Sequence, residues 1–408
     1  MHQQTFCEVN LIKIISGKDK FKSNAQKIQI IDASINLITN NLVDENLLRK
    51  ITLKNKNIFI ADSSHRKIIF KKLSTNISKC AQINPPKRNF ITSNIKNFLT
   101  ETNPYNIYRY DIKSFFESFN KEIIIKEISA LDKLLPINIK ILNKILDHHT
   151  SLAGDGIPRG LSISTPLSEL LMRSFDKSII NHPEVFYYSR YVDDILIITS
   201  GREKEKEIKS LVENQLPTGL SLNKDKTYLA DGTKKENKKP PHLPSGFFEY
   251  LGYYYKFGHI GNSKESKARN IEILISPSKI AKIKKRICRS FISYSNNKDF
   301  SLLIDRIKFL TNNFSIYDIE SARKKNVGIY FNYPLLSYPS SSLQELDSFL
   351  KNAILSRRGK IFSQSSTLLN SKKRKILLGQ SFTKGHSEKK YINFPAERIS
   401  KIKSCWEY

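Results

Sequence analysis

The sequence predicts an α+β fold, and three observations predict it. Two β-rich runs, Val185–Ser189 and Ile195–Thr199, flank an acidic pair at Asp193 and Asp194. Stretches such as 121–147 and 280–294 carry Ile, Leu and Phe at helical spacing. The 408 residues suffice to bury a sizeable core divided among two or three subdomains. The net charge is +30, which favours a polyanionic partner, most simply nucleic acid, although a bias toward Ile, Lys and Asn also raises the lysine count. No apolar run reaches the roughly 18 residues of a spanning helix, and Met1-His2-Gln3-Gln4 does not open a signal peptide. Cys7, Cys80, Cys288 and Cys405 are too scattered for a zinc motif or a disulfide framework. A reducing cytoplasm without membrane attachment is the expectation.

In chain order, residues 1–50 have mixed helical spacing and no chemistry. Residues 51–80 alternate short apolar runs with lysines, Lys67-Ile68-Ile69-Phe70-Lys71-Lys72 among them, and predict a small basic sheet. Asn84-Pro85-Pro86 breaks the chain, and a helix bearing Ile91, Ile95 and Leu99 follows. Lys87 and Arg88 stand at its start, as phosphate contacts or as solvated surface. Ile107–Ile112 is β-like and contains Asp111, an acid that is costly there unless paired or bound to metal. After the helical stretch 121–147, His148 and His149 are expected in an exposed loop. Gly154-Asp155-Gly156-Ile157-Pro158-Arg159-Gly160 needs unusual backbone angles at its glycines, and precedes a helix with Leu167, Leu170, Leu171 and Phe175 on one face.

The acid pair sits at the tip of a predicted hairpin, Tyr191-Val192-Asp193-Asp194. Adjacent carboxylates repel, and the aliphatic flanks offer no partner, so a cation suits the site and paired oxygens suit Mg²⁺. An ordinary surface turn is the plainer alternative. Beyond it, 202–216 predicts an amphipathic helix, Leu220–Thr227 a strand, 231–246 a loop, and Phe247–Tyr255 an aromatic hairpin. From about 276 a helix combines an Ile280, Ile283, Ile287, Phe291 stripe with Lys279, Lys282, Lys285 and Arg289, suited to gripping a duplex or simply to solvation. Helices are expected through 350, and basic clusters lie at 356–360 and 371–375.

In this order the stretches resemble the palm of reverse transcriptases. Tyr110-Asp111-Ile112-Lys113-Ser114-Phe115-Phe116 looks like the first catalytic block. Gly156 to Leu170 looks like the template and nucleotide loop, and Tyr191 to Asp194 like the YxDD box. Leu222 to Thr227 is similar to the L-N-x-x-K-T block, and Phe248 to Tyr253 to the primer grip. The resemblance implies a right-hand polymerase: N-terminal region and fingers at 1–105, palm at 106–260, helical thumb and basic tail at 261–408. It implies an RNA-directed DNA polymerase with two Mg²⁺ ions at Asp111, Asp193 and Asp194, with Ile112 among the metal-holding positions. Phe116 would exclude a ribose 2′-hydroxyl, and Lys226 would act as acid to pyrophosphate or as a phosphate counter-charge.

Arg159 departs from the family's usual Gln. A longer charged donor there bears on nucleotide selection, reaching the incoming triphosphate or the template, and Gly160 belongs to the same substrate loop. The Arg159–Ser164 and Leu167–Leu170 patterns, with Gly328–Pro334, resemble the bacterial defence-associated and abortive-infection branch, its type 3 systems in particular. The partners implied are an RNA template such as a noncoding RNA, a DNA product, dNTPs, and a second reverse transcriptase or another copy of this chain. An RNase H domain is not expected after the thumb. RNA-templated RNA synthesis, and template-independent or protein-primed DNA synthesis, are the alternative activities.

Overall fold

A computed structural model describes residues 2–15, 23–40, 46–53, 56–101, 103–223, 228–231, 244–258, 269–318 and 323–406. The chain divides into two units, 1–87 with 103–233, and 88–102 with 234–408.

The first unit opens with α1 (Glu8–Ile14) and α2 (Asn24–Thr39), as the helical spacing predicts. An antiparallel hairpin follows, β1 (Arg49–Leu53) and β2 (Lys56–Ile60). The basic sheet predicted for 51–80 ends there: Lys67–Lys72 lies inside α3 (Ser64–Cys80), which Ser63 caps by accepting from the Arg66 amide. An apolar triplet between lysines fits a strand or a helix. Ile69, Leu73 and Ile77, four apart and fully buried, decide for the helix. Helix α4 (Arg88–Thr100), with Ile91, Ile95 and Leu99 buried as predicted, belongs to the second unit.

Next come β3 (Asn106–Asp111), α5 (Lys121–Ser129), α6 (Pro136–Ser151), α7 (Ser164–Leu171), α8 (Arg173–Ile180), β4 (Val185–Tyr191), β5 (Asp194–Thr199), α9 (Glu205–Gln215) and β6 (Tyr228–Asp231). Their antiparallel sheet has the order β4-β5-β3-β6. Of the strand predicted at 220–227, Leu222 makes a single bridge to Ile112, and residues 224–227 lie outside the described residues. Register fixes the two faces of the sheet. Tyr108 and Tyr110 oppose Ile197 and Ile195, and all four enter the core shared with α3 and α5–α9. Arg109 and Asp111 oppose Leu196 and Asp194, so both acids stand on the other face. The histidines predicted in an exposed loop occupy the last turn of α6 instead. His149 is buried edge-on to Phe59, with ring centroids 4.2 Å apart, and burial lowers its pKa to about 4.

In the second unit β7 (Pro244–Tyr250), β8 (Tyr253–Gly258) and β9 (Ile271–Ile275) form an antiparallel sheet, realising the predicted aromatic hairpin. Pro277 starts α10 (Pro277–Asn297), and α11 (Phe300–Thr311) follows. The helices do not run unbroken to 350. Strands β10 (Asn313–Asp318) and β11 (Arg323–Gly328) intervene, and Gly328 ends β11 at φ +126, where a Cβ would lie 2.4 Å from Asn312 O. Short α12 (Ile329–Asn332) leads to α13 (Ser341–Leu355), α14 (Lys360–Thr367), α15 (Ser371–Leu378), α16 (Phe382–Ser387) and α17 (Ala396–Lys403). Among the described residues no helix is long and apolar enough to cross a membrane.

Candidate active site

The end of the first unit's sheet builds the site. Asp111 and Asp194 face each other across β3 and β5. The Ile112 amide donates to Asp193 O at 3.0 Å, which makes Asp111 and Asp194 a pair not joined by backbone hydrogen bonds. Such pairs bring the Cα atoms to about 4.5 Å and the side chains closest together. Like charges so placed repel. Arg109, two residues before Asp111 on the same face, answers part of this with an ion pair to Asp194 Oδ1 at 3.0 Å. Asp111 is 6 % exposed; Asn223 donates its side-chain amide to Oδ2 at 3.2 Å and its backbone amide to the Asp111 carbonyl at 2.7 Å.

Asp193 sits in the two-residue turn that Tyr191 and Asp194 close. Its neighbour Val192 has φ +62, a conformation hairpin turns usually give to glycine and one that strains a β-branched residue by about 1–3 kcal/mol. Arg190 holds that turn from the core side. Its guanidinium donates to Val192 O at 3.1 Å, to both Glu169 oxygens at 3.1 and 2.9 Å, and to both Asp176 oxygens at 2.9 and 2.8 Å. The side chain is 3 % exposed. Burial disfavours its charge, but the hydrogen bonds and charge of Asp176, with the charge of Glu169, outweigh that and raise its pKa. Tyr188 Oη adds a 2.5 Å bond to Asp176.

Among the described residues no group of three or more His, Cys, Asp or Glu side chains is assembled as a metal site. The donor chemistry nonetheless fits a hard cation. Asp111, Asp193 and Asp194 offer carboxylates on one sheet end, and Ile112, with its side chain buried, offers a backbone carbonyl.

A second group lies at the residues after Asp111. Phe116 is half-buried and edge-on to Phe115 at 5.2 Å, whereas Phe115 and Phe119 belong to the core. The Ile157 amide donates to Phe116 O at 2.8 Å, and a Cβ on Gly156 would lie 2.3 Å from that oxygen. Arg159 pairs with Glu117 through two bonds, Nε to Oε1 at 2.9 Å and Nη2 to Oε2 at 3.0 Å, and its guanidinium carbon lies 5.1 Å from the Phe116 ring centroid. Burial alone would raise the Glu117 carboxyl; the Arg159 hydrogen bonds bring it below its ordinary value. Gly160, at φ +102, admits β2: a Cβ there would lie 2.5 Å from Ile58 and 2.9 Å from Phe59 O. The glycine therefore lets β2 approach this loop closely.

Arg88, the other residue named with Lys87 at the helix start, has partners within the protein. In the second unit it donates to Leu251 O at 2.8 Å and to Asn332 O at 2.6 Å, lying 4.7 Å from the Tyr253 ring centroid and 5.4 Å from that of Tyr333. It braces the β7–β8 turn. Lys87 is exposed. Lys226 lies outside the described residues. On α10, Lys279, Lys282 and Lys285 are exposed, while half-buried Arg289 donates to Trp406 O at 3.1 Å.

Sequence alone assigned no role to Arg190, Glu169, Asp176, Arg109, Asn223 or Glu117. A signal existed for one: Arg190 is a charge in an otherwise uncharged strand, shortly before the acid pair. For the others only long-range partners reveal the role.

Residues 53–255 match the family described as "Reverse transcriptase (RNA-dependent DNA polymerase)". No curated protein matches the sequence. Among solved structures, a chain of the telomerase from Candida albicans, in complex with a TWJ fragment of telomeric RNA, is similar at 10 % identity and a TM-score of 0.35. That similarity covers 88 % of this chain and 61 % of the telomerase chain.

Proposed function

We propose, from the premise that residues 53–255 are a reverse transcriptase domain and hence a nucleotidyltransferase, that this chain copies RNA into DNA from dNTPs. The observation that carries the reading is the narrow pairing of Asp111 with Asp194 beside the strained turn that presents Asp193. Two Mg²⁺ ions held by Asp111, Asp193 and the Ile112 carbonyl, with Asp194 beside them, would lower the pKa of the primer 3′-hydroxyl and neutralise the triphosphate. The chain's own groups prepare that place. Asn223 orients Asp111, Arg109 restrains Asp194, and Arg190 supports the turn from beneath. Lys226 is proposed as proton donor to the leaving pyrophosphate, and Lys87 as a phosphate contact. Fingers at 1–105, palm at 106–260 and thumb at 261–408 describe the division of labour in this reading.

The finer assignment is bacterial antiviral defence, with a noncoding RNA as template and a second reverse transcriptase or another copy of this chain as partner, in the cytoplasm. It rests on the likeness of Arg159–Ser164, Leu167–Leu170 and Gly328–Pro334 to that branch. Sequencing nucleic acid that co-purifies with the protein, with and without RNase and DNase, tests it; ribosomal fragments alone would refute a dedicated noncoding RNA.

Polymer type is tested at Phe116. Its ring is expected to reject ribonucleotides by overlap, so Phe116→Ala raises rNTP incorporation far more than it alters dNTP incorporation. Being half-buried, the residue should cost less on truncation than the ~3–5 kcal/mol of a core phenylalanine. An unchanged rNTP/dNTP ratio in a stable variant removes Phe116 from the role. A wild type that prefers rNTPs favours RNA synthesis instead.

The +30 charge predicts salt-sensitive binding. Each phosphate contact contributes about 0.7–0.9 to the slope of log affinity against log salt. Replacing exposed Lys279, Lys282 and Lys285 by Ala should reduce that slope by roughly 2–3. An unchanged slope means α10 does not grip nucleic acid.

A further inference from the structure

We propose that Arg159 is a specificity-determining residue: anchored by Glu117, it holds the Phe116 ring in place and so sharpens selection of the sugar. The proposal rests on Phe116 being the residue that meets the sugar 2′ position, and it assigns the restraint that makes a half-buried ring an effective barrier.

Three features support it. Phe116 packs against the core yet stays half-buried, so the part of its ring left uncovered needs another restraint for rejection by overlap. The guanidinium over its face provides one, and the two-point pairing with Glu117 fixes the plane of that guanidinium. The backbone on both sides is tied as well. Ile157 N bonds Phe116 O, Phe59 N bonds Arg159 O at 2.8 Å, and Gly156 and Gly160 allow these approaches. The pairing thus spans two segments held in register, not two free surface side chains. As a stabilising device it would be poor, because a partly exposed ion pair contributes little. As a positioning device its fork geometry is well suited, and lysine could not reproduce it.

The test measures kcat/KM for a dNTP and its matching rNTP in the full chain, with melting temperature alongside, for Phe116→Ala, Arg159→Gln, Arg159→Lys, Glu117→Gln and the Arg159→Gln/Glu117→Gln double variant. Arg159→Gln, Arg159→Lys and Glu117→Gln should each lower the dNTP/rNTP preference roughly three- to thirtyfold, the fold-change equivalent to ~0.7–2 kcal/mol of lost ring contact. The double variant should lose no more than the singles, because one unit is broken. Arg159→Lys supplies the comparison should Arg159→Gln fold poorly. If Phe116→Ala changes the preference while the Arg159 and Glu117 variants do not, the latch is wrong and the barrier stands. If Phe116→Ala leaves the preference unchanged, the barrier fails and the latch with it. If Arg159 instead binds the triphosphate, Arg159→Gln raises KM equally for both nucleotides and Glu117→Gln lowers it, which also overturns the proposal.

Discussion

Asp193→Asn is expected to reduce DNA synthesis by on the order of 10³ or more, the scale on which loss of one preorganised electrostatic contact to a transition state acts. The variant replaces one carboxylate oxygen by an NH2 group in a turn position that is only partly buried, so the fold should persist. Stability should move by no more than about 0.5 kcal/mol, as for other substitutions outside the core, and relief of repulsion with Asp111 and Asp194 pushes it upward. Primer extension and thermal unfolding on the same preparation separate chemistry from folding. Template RNA should still bind, since the basic surface is untouched. Full extension activity in the purified variant would remove Asp193 from the catalytic assignment.

Arg190→Ala should act through the fold before it acts through chemistry. Removing the guanidinium leaves Glu169 and Asp176 beneath the turn without the cation they share. Breaking a buried pair in this way costs ~3–5 kcal/mol. At about 2–4 °C per kcal/mol for a domain of 150–250 residues, the melting temperature falls by roughly 6–20 °C. The Arg190→Met variant combined with Glu169→Gln and Asp176→Asn should recover part of that loss, because the network then leaves no unpaired charge behind. Extension activity should stay low even in the recovered protein, since the guanidinium no longer restrains the Val192 carbonyl in its strained conformation. A melting temperature for Arg190→Ala equal to wild type would show that the network does not support the sheet. Full activity in the recovered triple variant would show that the turn holds its shape unaided.

The elements of the candidate site were legible because their signals are local. Ile195–Ile198 is a continuous apolar run directly after two acids, and a buried strand leading out of a turn accommodates both features within so few residues. Asp111 could be matched with that turn from sequence because it too lies at the end of a β-like run. Strand alternation and helical spacing are properties of neighbouring residues, so a chain displays them before it folds. Lys67–Lys72 shows the limit. Six residues suit either period, and the helix was decided by the larger core that receives Ile69 together with Leu73 and Ile77.

Tertiary structure alone decided what the charged groups do. Arg159 stands where the resemblance has its usual Gln, and Glu117, distant in sequence, takes both ends of its fork. Arg88 stands at a helix start, where phosphate is the usual expectation, and is engaged by the carbonyls of Leu251 and Asn332. His149 follows a second histidine at a helix end and still becomes a neutral core residue, because β2 brings Phe59 against its ring. A charge or an imidazole has no intrinsic periodicity, and its free energy depends on which partners and how much water surround it. Local pattern placed the three acids and their strands; long-range packing settled which cations restrain those acids and which are left facing solvent, because desolvation and pairing exist only once distant segments meet.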